Sequence, residues 1–451
     1  QMTDRIERIA ARLIDTGLER GQSVCILGTS TIPYALVFLA AVRAGGVAAP
    51  LTTSASPVQL EAMAQDSGAR HLFIDRAKAD ELGPDALAGY ERIVMDEDLD
   101  DWMPPAGTRA PNFTPEKSDP FNIIYSSGTT GTPKGIVQSH LMRWRQYAST
   151  ANSYLAAGRE ARGLASTPLY SNTTMVAFLG PLMAGGMTRI TSKFNTVKWL
   201  EHAQADRTNV TMLVPVQYQR LMAEPRFDEF DLSAMELKYC TSAPFSAELK
   251  AEVLRRMPGA LIEIYSMTEG GVVCILAAHE FPDKLHTVGR PAPGSELKVL
   301  DDEDNEVPVG TPGNLVGRSA TMMSGYKNQP DMTNEGYWTD PATGEVWQRM
   351  GDIGRLDADG FVELVGRAKD MIISGGFNIY PSDLEAELDK EDAVIESAVI
   401  GVPSEAWGET PVGFVVLKDG GDADAVLAAV NGRVGKTQRL SALHAIDAMP
   451  R

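Results

Sequence analysis

Apolar and polar positions follow two alternating periods through the first part of the chain. Residues 4–16 repeat apolar side chains at helical spacing, and Gly17 is placed to stop that helix. Ser23–Leu27 is a short apolar run that fits a strand. Pro33 opens a second helical segment, Gly45-Gly46 closes it, and Val47–Leu51 is again strand-like. Residues 58–65 then read helical and His71–Ile74 extended. Strands that alternate with helices predict a parallel sheet covered by helices. The same alternation returns over 165–265. From about 288 to 366 glycine and proline become frequent, and short segments such as 296–300 read as antiparallel strands. A tail with its own helix and strand patterns follows. The pattern predicts an α/β protein. A large N-terminal domain, 1–366, has largely parallel, helix-covered sheets plus a small β-rich subdomain. A small α+β C-terminal domain, 367–451, follows it.

Composition narrows the function classes. The chain has 451 residues, 43% hydrophobic and 22% charged, which suits a globular protein with a large core. A net charge of −19 argues against nonspecific binding to nucleic acid or to an anionic membrane. The longest apolar run, 34–42, ends at Arg43 and is too short to span a bilayer. No signal peptide is visible at the start. Cys25, Cys240 and Cys274 are far apart and odd in number, which predicts a reducing, cytoplasmic setting. The six histidines lack zinc-site spacing.

The densest chemistry lies in Tyr125-Ser126-Ser127-Gly128-Thr129-Thr130-Gly131-Thr132-Pro133-Lys134-Gly135. Glycines let a backbone turn its N–H groups toward a ligand, and a concave row of such groups binds anions. Ser and Thr hydroxyls add donors, and Lys134 adds positive charge. The spacing is not that of a Walker A loop, which ends in Gly-Lys-Ser/Thr before a helix. Residues 121–125 and 135–138 read as two strands around the loop. Taken alone, the segment also fits a polar linker.

The string resembles the phosphate loop of the adenylate-forming superfamily, which includes acyl-CoA synthetases, luciferase and the adenylation domains of peptide synthetases. Further motifs follow in that family's order. Tyr265-Ser266-Met267-Thr268-Glu269 resembles its Tyr-Gly-x-Thr-Glu motif, with Ser266 in place of glycine. The resemblance implies that Tyr265 packs on adenine, Thr268 donates to the α-phosphate and Glu269 holds Mg²⁺. Ser126, Ser127, Gly128, Thr129, Thr130 and Lys134 would hold the phosphates. Thr241-Ser242-Ala243-Pro244 resembles a Gly-Gly-Ala-Pro segment that walls adenine and the acyl pocket, and its side chains narrow that pocket. Tyr170, Ser171, Phe178, Ser242 and Ala243 are pocket-wall candidates, although Phe178 also fits simple core. Trp347-Gln348-Arg349-Met350-Gly351-Asp352 resembles a motif whose Asp accepts from the ribose hydroxyls. The run from Gly366-Arg367-Ala368-Lys369-Asp370 to Gly375-Gly376-Phe377 resembles the family hinge. By that likeness Arg367 contacts ribose, Lys369 is the pivot, and Gly375, Gly376 and Phe377 line the path of CoA.

The resemblance implies an AMP-forming acid–CoA ligase that uses ATP, Mg²⁺ and CoA. Two other readings are a stand-alone enzyme that loads a carrier protein and a non-catalytic nucleotide-binding relative. Such enzymes close with Pro-x-x-x-x-Gly-Lys. Gly435-Lys436 lacks the proline at that spacing and is read as surface, so the adenylating lysine is expected beyond Arg451. The residues leave the acid unnamed, with a lean toward an aromatic or short-to-medium one, and leave the oligomeric state open.

Overall fold

The computed structural model describes residues 2–126, 134–374, 377–404, 407–435 and 438–450, with backbone alone at 126, 149, 150, 153, 377, 378 and 408. Its contacts group into two compact units. One holds residues 1–296 and 317–348, the other 297–316 and 349–451.

The larger unit carries two seven-stranded sheets. In the first, β1 (Ser23–Leu27), β2 (Val47–Leu51), β3 (His71–Ile74) and β4 (Glu91–Val94) run parallel, and β5 (Pro120–Ser126) joins β2 in the same sense. β6 (Lys134–Ser139) returns antiparallel to β5. Every residue of β1 and β2 is buried, as expected for a sheet covered on both faces. Side chains alternate between those faces. Val24 and Ile26 pack with Ile9, Leu13 and Phe38 of two helices, whereas Cys25 and Leu27 pack with Leu60 and Met63 of a third. These helices, Met2–Asp15, Ile32–Arg43 and Pro57–Ser67, are the three expected from the sequence. Ser56 and Gln59 form a reciprocal capping box at the start of the third, with Pro57 in its first turn. Gly17 and Gly45 take φ of +93° and +82°, the left-handed turn that ends a helix.

The second sheet is built from β7 (Arg162–Ala165), β8 (Met187–Ile190), β9 (Val210–Leu213), β10 (Leu237–Cys240), β11 (Ala260–Met267), β12 (Gly270–Ala277) and β13 (Arg290–Pro291). Its order is β13-β12-β11-β10-β9-β7-β8. The pairs from β8 through β11 are parallel, and β12 and β13 are antiparallel additions. The parallel α/β expectation is met, with one difference. The strand that closes the predicted 165–265 alternation continues through Met267 because the chain folds back as the β11–β12 hairpin.

Four further strands are β14 (Ser295–Leu300), β15 (Gly313–Ser319), β16 (Gly325–Tyr326) and β17 (Tyr337–Thr339). β16 extends the first sheet beside β6. β18 (Val346–Leu356) pairs antiparallel with β17 through residues 346–348, and with β19 (Val362–Arg367) through residues 352–356. In the smaller unit follow β20 (Ile372–Ser374), β21 (Phe377–Ile379), β22 (Val394–Ser404), β23 (Gly408–Leu417) and β24 (Ala442–Ala445). β22 and β23 form a long antiparallel ladder, and β24 runs parallel to β23. Helices Pro381–Leu388 and Ala423–Arg433 bury Leu384, Leu388, Val426 and Val430 against Ile372, Val399 and Val415. This is the α+β arrangement expected of the tail. The compact units do not divide at residue 366, where the sequence texture changes. β18 and β19 hold one another, and the Ser382 hydroxyl donates to the Val365 carbonyl. Among the described residues no helix is long and apolar enough to cross a membrane.

Candidate functional site

The β5–β6 ladder ends at the pair Ser126↔Lys134. Both ends of the glycine-rich connection are therefore fixed on a buried sheet. The connection itself, 127–133, with Ser127, Gly128, Thr129 and Thr130, lies outside the described residues, as do Gly375, Gly376 and Lys436. Just below the ends, Tyr125 donates from its hydroxyl to Asp66 Oδ2 at 2.9 Å, and Asn328 donates to Asp66 Oδ1 at 3.1 Å. Burial and the Asp66 charge push the Tyr125 phenol well up from its ordinary value. A Cβ on Gly135 would come within 2.9 Å of both Asp66 Oδ2 and the Tyr125 ring. A side chain there would force Asp66 or the Tyr125 ring to shift.

Thr268 and Glu269 form the turn of the β11–β12 hairpin, between the paired residues Met267 and Gly270. Gly270 has φ +93°, and a Cβ there would meet the Thr321 carbonyl at 2.4 Å, so only glycine closes this turn. Ser266 falls where the ladder shifts register, and its hydroxyl donates to the Val272 carbonyl at 2.9 Å. The serine that replaces the family's glycine is thus absorbed within the hairpin. Three contacts from elsewhere hold the turn. The Tyr326 hydroxyl donates to Glu269 Oε1 at 2.8 Å, the Met323 amide donates to the Glu269 carbonyl at 2.7 Å, and Gln138 Nε2 donates to the Thr268 carbonyl at 3.0 Å. Burial and the Glu269 carboxylate raise the Tyr326 phenol, which keeps it a donor at neutral pH. Glu269 Oε2 has no hydrogen-bond partner among the described residues.

The segment 323–327 also reaches β6. Ser324 donates to the Val137 carbonyl at 2.9 Å and Lys327 to the Gly135 carbonyl at 2.7 Å. One short segment thereby joins the Thr268-Glu269 turn to the strand that begins at Lys134.

A third wall follows β10. Thr241 donates to the Ile264 carbonyl at 2.6 Å, which ties this turn to β11 just before Tyr265. Ser242, Ala243 and Pro244 are exposed. Ser242 has φ +80°, a strained conformation for a residue with a side chain and the reason glycine suits this position. Its hydroxyl is 2.6 Å from that of Thr173, and Ser171 caps the single turn that carries Thr173. The structure therefore brings Ser171 and Ser242 to one neighbourhood, with Tyr170 half-buried alongside Ser171 in the chain. Phe178 is placed differently. It is 2% exposed and packs edge-on against Phe38, so it serves the core and not a pocket wall.

In the smaller unit, Asp352 and Arg367 face each other across β18 and β19, with Arg367 Nε 3.6 Å from Asp352 Oδ1. Gly351 before it takes φ +71°. Lys369 lies exposed in a single helical turn, Ala368–Asp370, between β19 and β20, and Phe377 begins β21.

Sequence reasoning missed Tyr326, Thr173 and Gln138. The available signal for Tyr326 was an aromatic after glycine in a Gly-Tyr-x-x-x-Pro run at 325–330. For Gln138 it was a polar residue at a core position of an otherwise apolar strand.

The helix-covered sheets thus hold the Thr268-Glu269 turn beside the start of β6. The model for "AMP-binding enzyme" matches residues 1–327, and that for "AMP-binding enzyme C-terminal domain" matches 383–451. The chain belongs to this AMP-binding enzyme family. It is 30% identical to feruloyl-CoA synthase of an Amycolatopsis species, over 100% of this chain and 90% of that protein. It is 30% identical to indoleacetate–CoA ligase of Aromatoleum aromaticum, over 100% of this chain and 89% of that one. Among solved structures, ATP-bound MatB from Rhodopseudomonas palustris superposes with a TM-score of 0.89 at 30% identity, over 100% of this chain and 90% of that chain.

Proposed function

We propose that this AMP-forming acid–CoA ligase activates an aromatic carboxylic acid, with the Thr268-Glu269 turn and Lys134 serving the first half-reaction. One observation carries the reading: segment 323–327 fastens the acidic turn to the strand that starts at Lys134. The named relatives that act on ferulic and indoleacetic acids support the aromatic class.

The chemistry starts from an unreactive carboxylate, whose leaving group would be oxide. Its oxygen attacks the α-phosphorus of ATP, the bond to the β-phosphate oxygen breaks, and pyrophosphate leaves. The resulting mixed anhydride has AMP as a good leaving group. A CoA thiol then attacks the carbonyl carbon, the carbon–oxygen bond breaks, AMP departs and the thiol proton passes to solvent. Because phosphoryl transfer has little covalent work for a protein, positioning and charge dominate. Lys134 adds a cation beside the phosphates, Thr268 donates to the α-phosphate, and Tyr265, Ala243 and Pro244 hold adenine. Glu269 suits Mg²⁺, which prefers oxygen ligands and is commonly held by one or two carboxylates plus substrate phosphates. When bound, the ion neutralises charge developing at phosphorus.

Ser242→Gly relieves the positive-φ strain and removes the Thr173 contact, so it is expected to widen the acid pocket. The preference for a bulkier over a slimmer aromatic acid, as a ratio of kcat/KM, is expected to rise about 10-fold. An unchanged ratio removes Ser242 and its partner from acid selection. At the pivot, Lys369→Pro fixes φ and takes away a backbone donor. Thioester formation is expected to fall about 10²-fold through misplacement, while ATP–pyrophosphate exchange is largely spared. Equal loss in both half-reactions counts against a pivot at Lys369. A panel of carboxylic acids, screened by pyrophosphate release from the full gene product, tests the acid class: aromatic acids should lead it, and preference for a long fatty acid would overturn the assignment.

A further inference from the structure

A buried guanidinium lies behind the acidic turn. Arg143, on helix His140–Ala156, is 2% exposed, and among the described residues no carboxylate pairs with it. Its N–H groups are spent on neutral acceptors. Nε donates to Asn122 Oδ1 at 2.8 Å on β5, and one terminal nitrogen donates to Asn172 Oδ1 at 2.7 Å and the Tyr147 hydroxyl at 2.9 Å. The other terminal nitrogen donates to Gln138 Oε1 on β6. Gln138 and Asn122 are both fully buried, and Asn122 Nδ2 also donates to Gln138 Oε1 at 3.2 Å. With its oxygen taken twice, the Gln138 amide has a fixed orientation. Its nitrogen points out of the sheet and donates to the Thr268 carbonyl at 3.0 Å.

Burying an unpaired charge is costly, and a satisfied polar network in a core specifies one arrangement over its alternatives. The expense here is concentrated on one peptide group, between the residue assigned to the α-phosphate and the residue assigned to the metal. The branch to Asn172 reaches the residue next to Ser171. We propose that Arg143 and Gln138 are positioning residues of the adenylating site. Arg143 locks the Gln138 amide, and Gln138 sets the Thr268–Glu269 peptide so that the Glu269 carboxylate meets the cation bound with ATP. This rests on the role given to Glu269 above.

Gln138→Glu separates the parts of this relay. A carboxylate still accepts from Arg143 and Asn122 and now compensates the buried charge, but it cannot donate to the Thr268 carbonyl. The unfolding temperature is expected to hold or rise. ATP affinity measured by calorimetry in Mg²⁺ is expected to fall about 10–100-fold, the usual loss when a partner behind a metal ligand is removed. Affinity in EDTA is expected to change little. Gln138→Met removes the relay without adding charge and should show the same Mg²⁺-specific loss, and it stands in if the Glu variant does not fold. Arg143→Met added to Gln138→Met should cost little more Mg²⁺-dependent affinity, because both act through one link. Wild-type affinity in Mg²⁺ for the Gln138 variants, or equal losses in Mg²⁺ and in EDTA, overturns the relay alone. A wild-type protein that binds ATP equally with and without Mg²⁺ overturns the metal role of Glu269 and the relay with it.

Discussion

Glu269→Ala is expected to lower ATP–pyrophosphate exchange by about 10²–10³-fold, the range seen when one preorganised stabiliser of developing charge is removed. The change deletes the carboxylate that Tyr326 orients at 2.8 Å and leaves the backbone of the turn held by Met323 and Gln138. Glu269 is part-exposed in a hairpin turn, so the fold should survive the substitution. Glu269→Gln sharpens the result. An amide can still accept from the Tyr326 hydroxyl, but it is a poor ligand for a hard cation. It should lose nearly as much exchange as alanine. If Glu269→Gln keeps wild-type exchange, the contact with Tyr326 is what matters and the metal role fails.

The largest expected change in stability comes from a pair outside the chemistry. Lys250 and Glu263 are 1% and 4% exposed and lie 2.5 Å apart, and Lys250 also donates to the carbonyls of Leu285 and Thr287. Removing one partner strands the other charge in the core. Above pH 7, where the carboxyl is charged, Glu263→Ala is expected to cost about 3–5 kcal/mol in denaturant unfolding, whereas replacing both by apolar residues of similar volume should recover most of it. Burial outweighs the attraction to Lys250 and pushes the Glu263 carboxyl up to about 7. The folded state then holds a proton that the unfolded chain releases at the ordinary value of 4.5. Stability from this group is complete below that value and is lost as pH rises toward 7. The stability of the wild type relative to Glu263→Gln should therefore fall across this window. A difference that grows with pH there would show that the ion pair dominates burial.

What the chain displays in advance is local. Periodicity shows the helices at 2–15 and 57–67, whereas Pro33 and Gly45-Gly46 mark the one at 32–43, which is buried almost all round. Gly17 and Gly45 mark their ends by a backbone demand that few other residues meet. The motif residues were legible as short strings, with Thr268 and Glu269 now on a hairpin turn and Lys134 at a strand end. The partners of those residues were not legible. Tyr326 reaches Glu269 across 57 positions, and Gln138 reaches Thr268 across 130, through sheet neighbours that no local pattern specifies. Arg143, Lys250 and Glu263 are charged residues of a kind normally found at the surface, and only tertiary packing buries them. Phe178 errs the other way, since an aromatic near a pocket motif reads the same in sequence whether it lines a cavity or fills the core.

The most direct test of acid activation by adenylation follows the oxygen. The full gene product is incubated with ATP, Mg²⁺, CoA and an aromatic acid whose carboxylate oxygens are both oxygen-18, and the products are weighed by mass spectrometry. Attack of the carboxylate on the α-phosphorus followed by thiol attack on carbon must leave one heavy oxygen in AMP and one in the acyl-CoA. Unlabelled AMP, or label appearing in orthophosphate, would contradict the account.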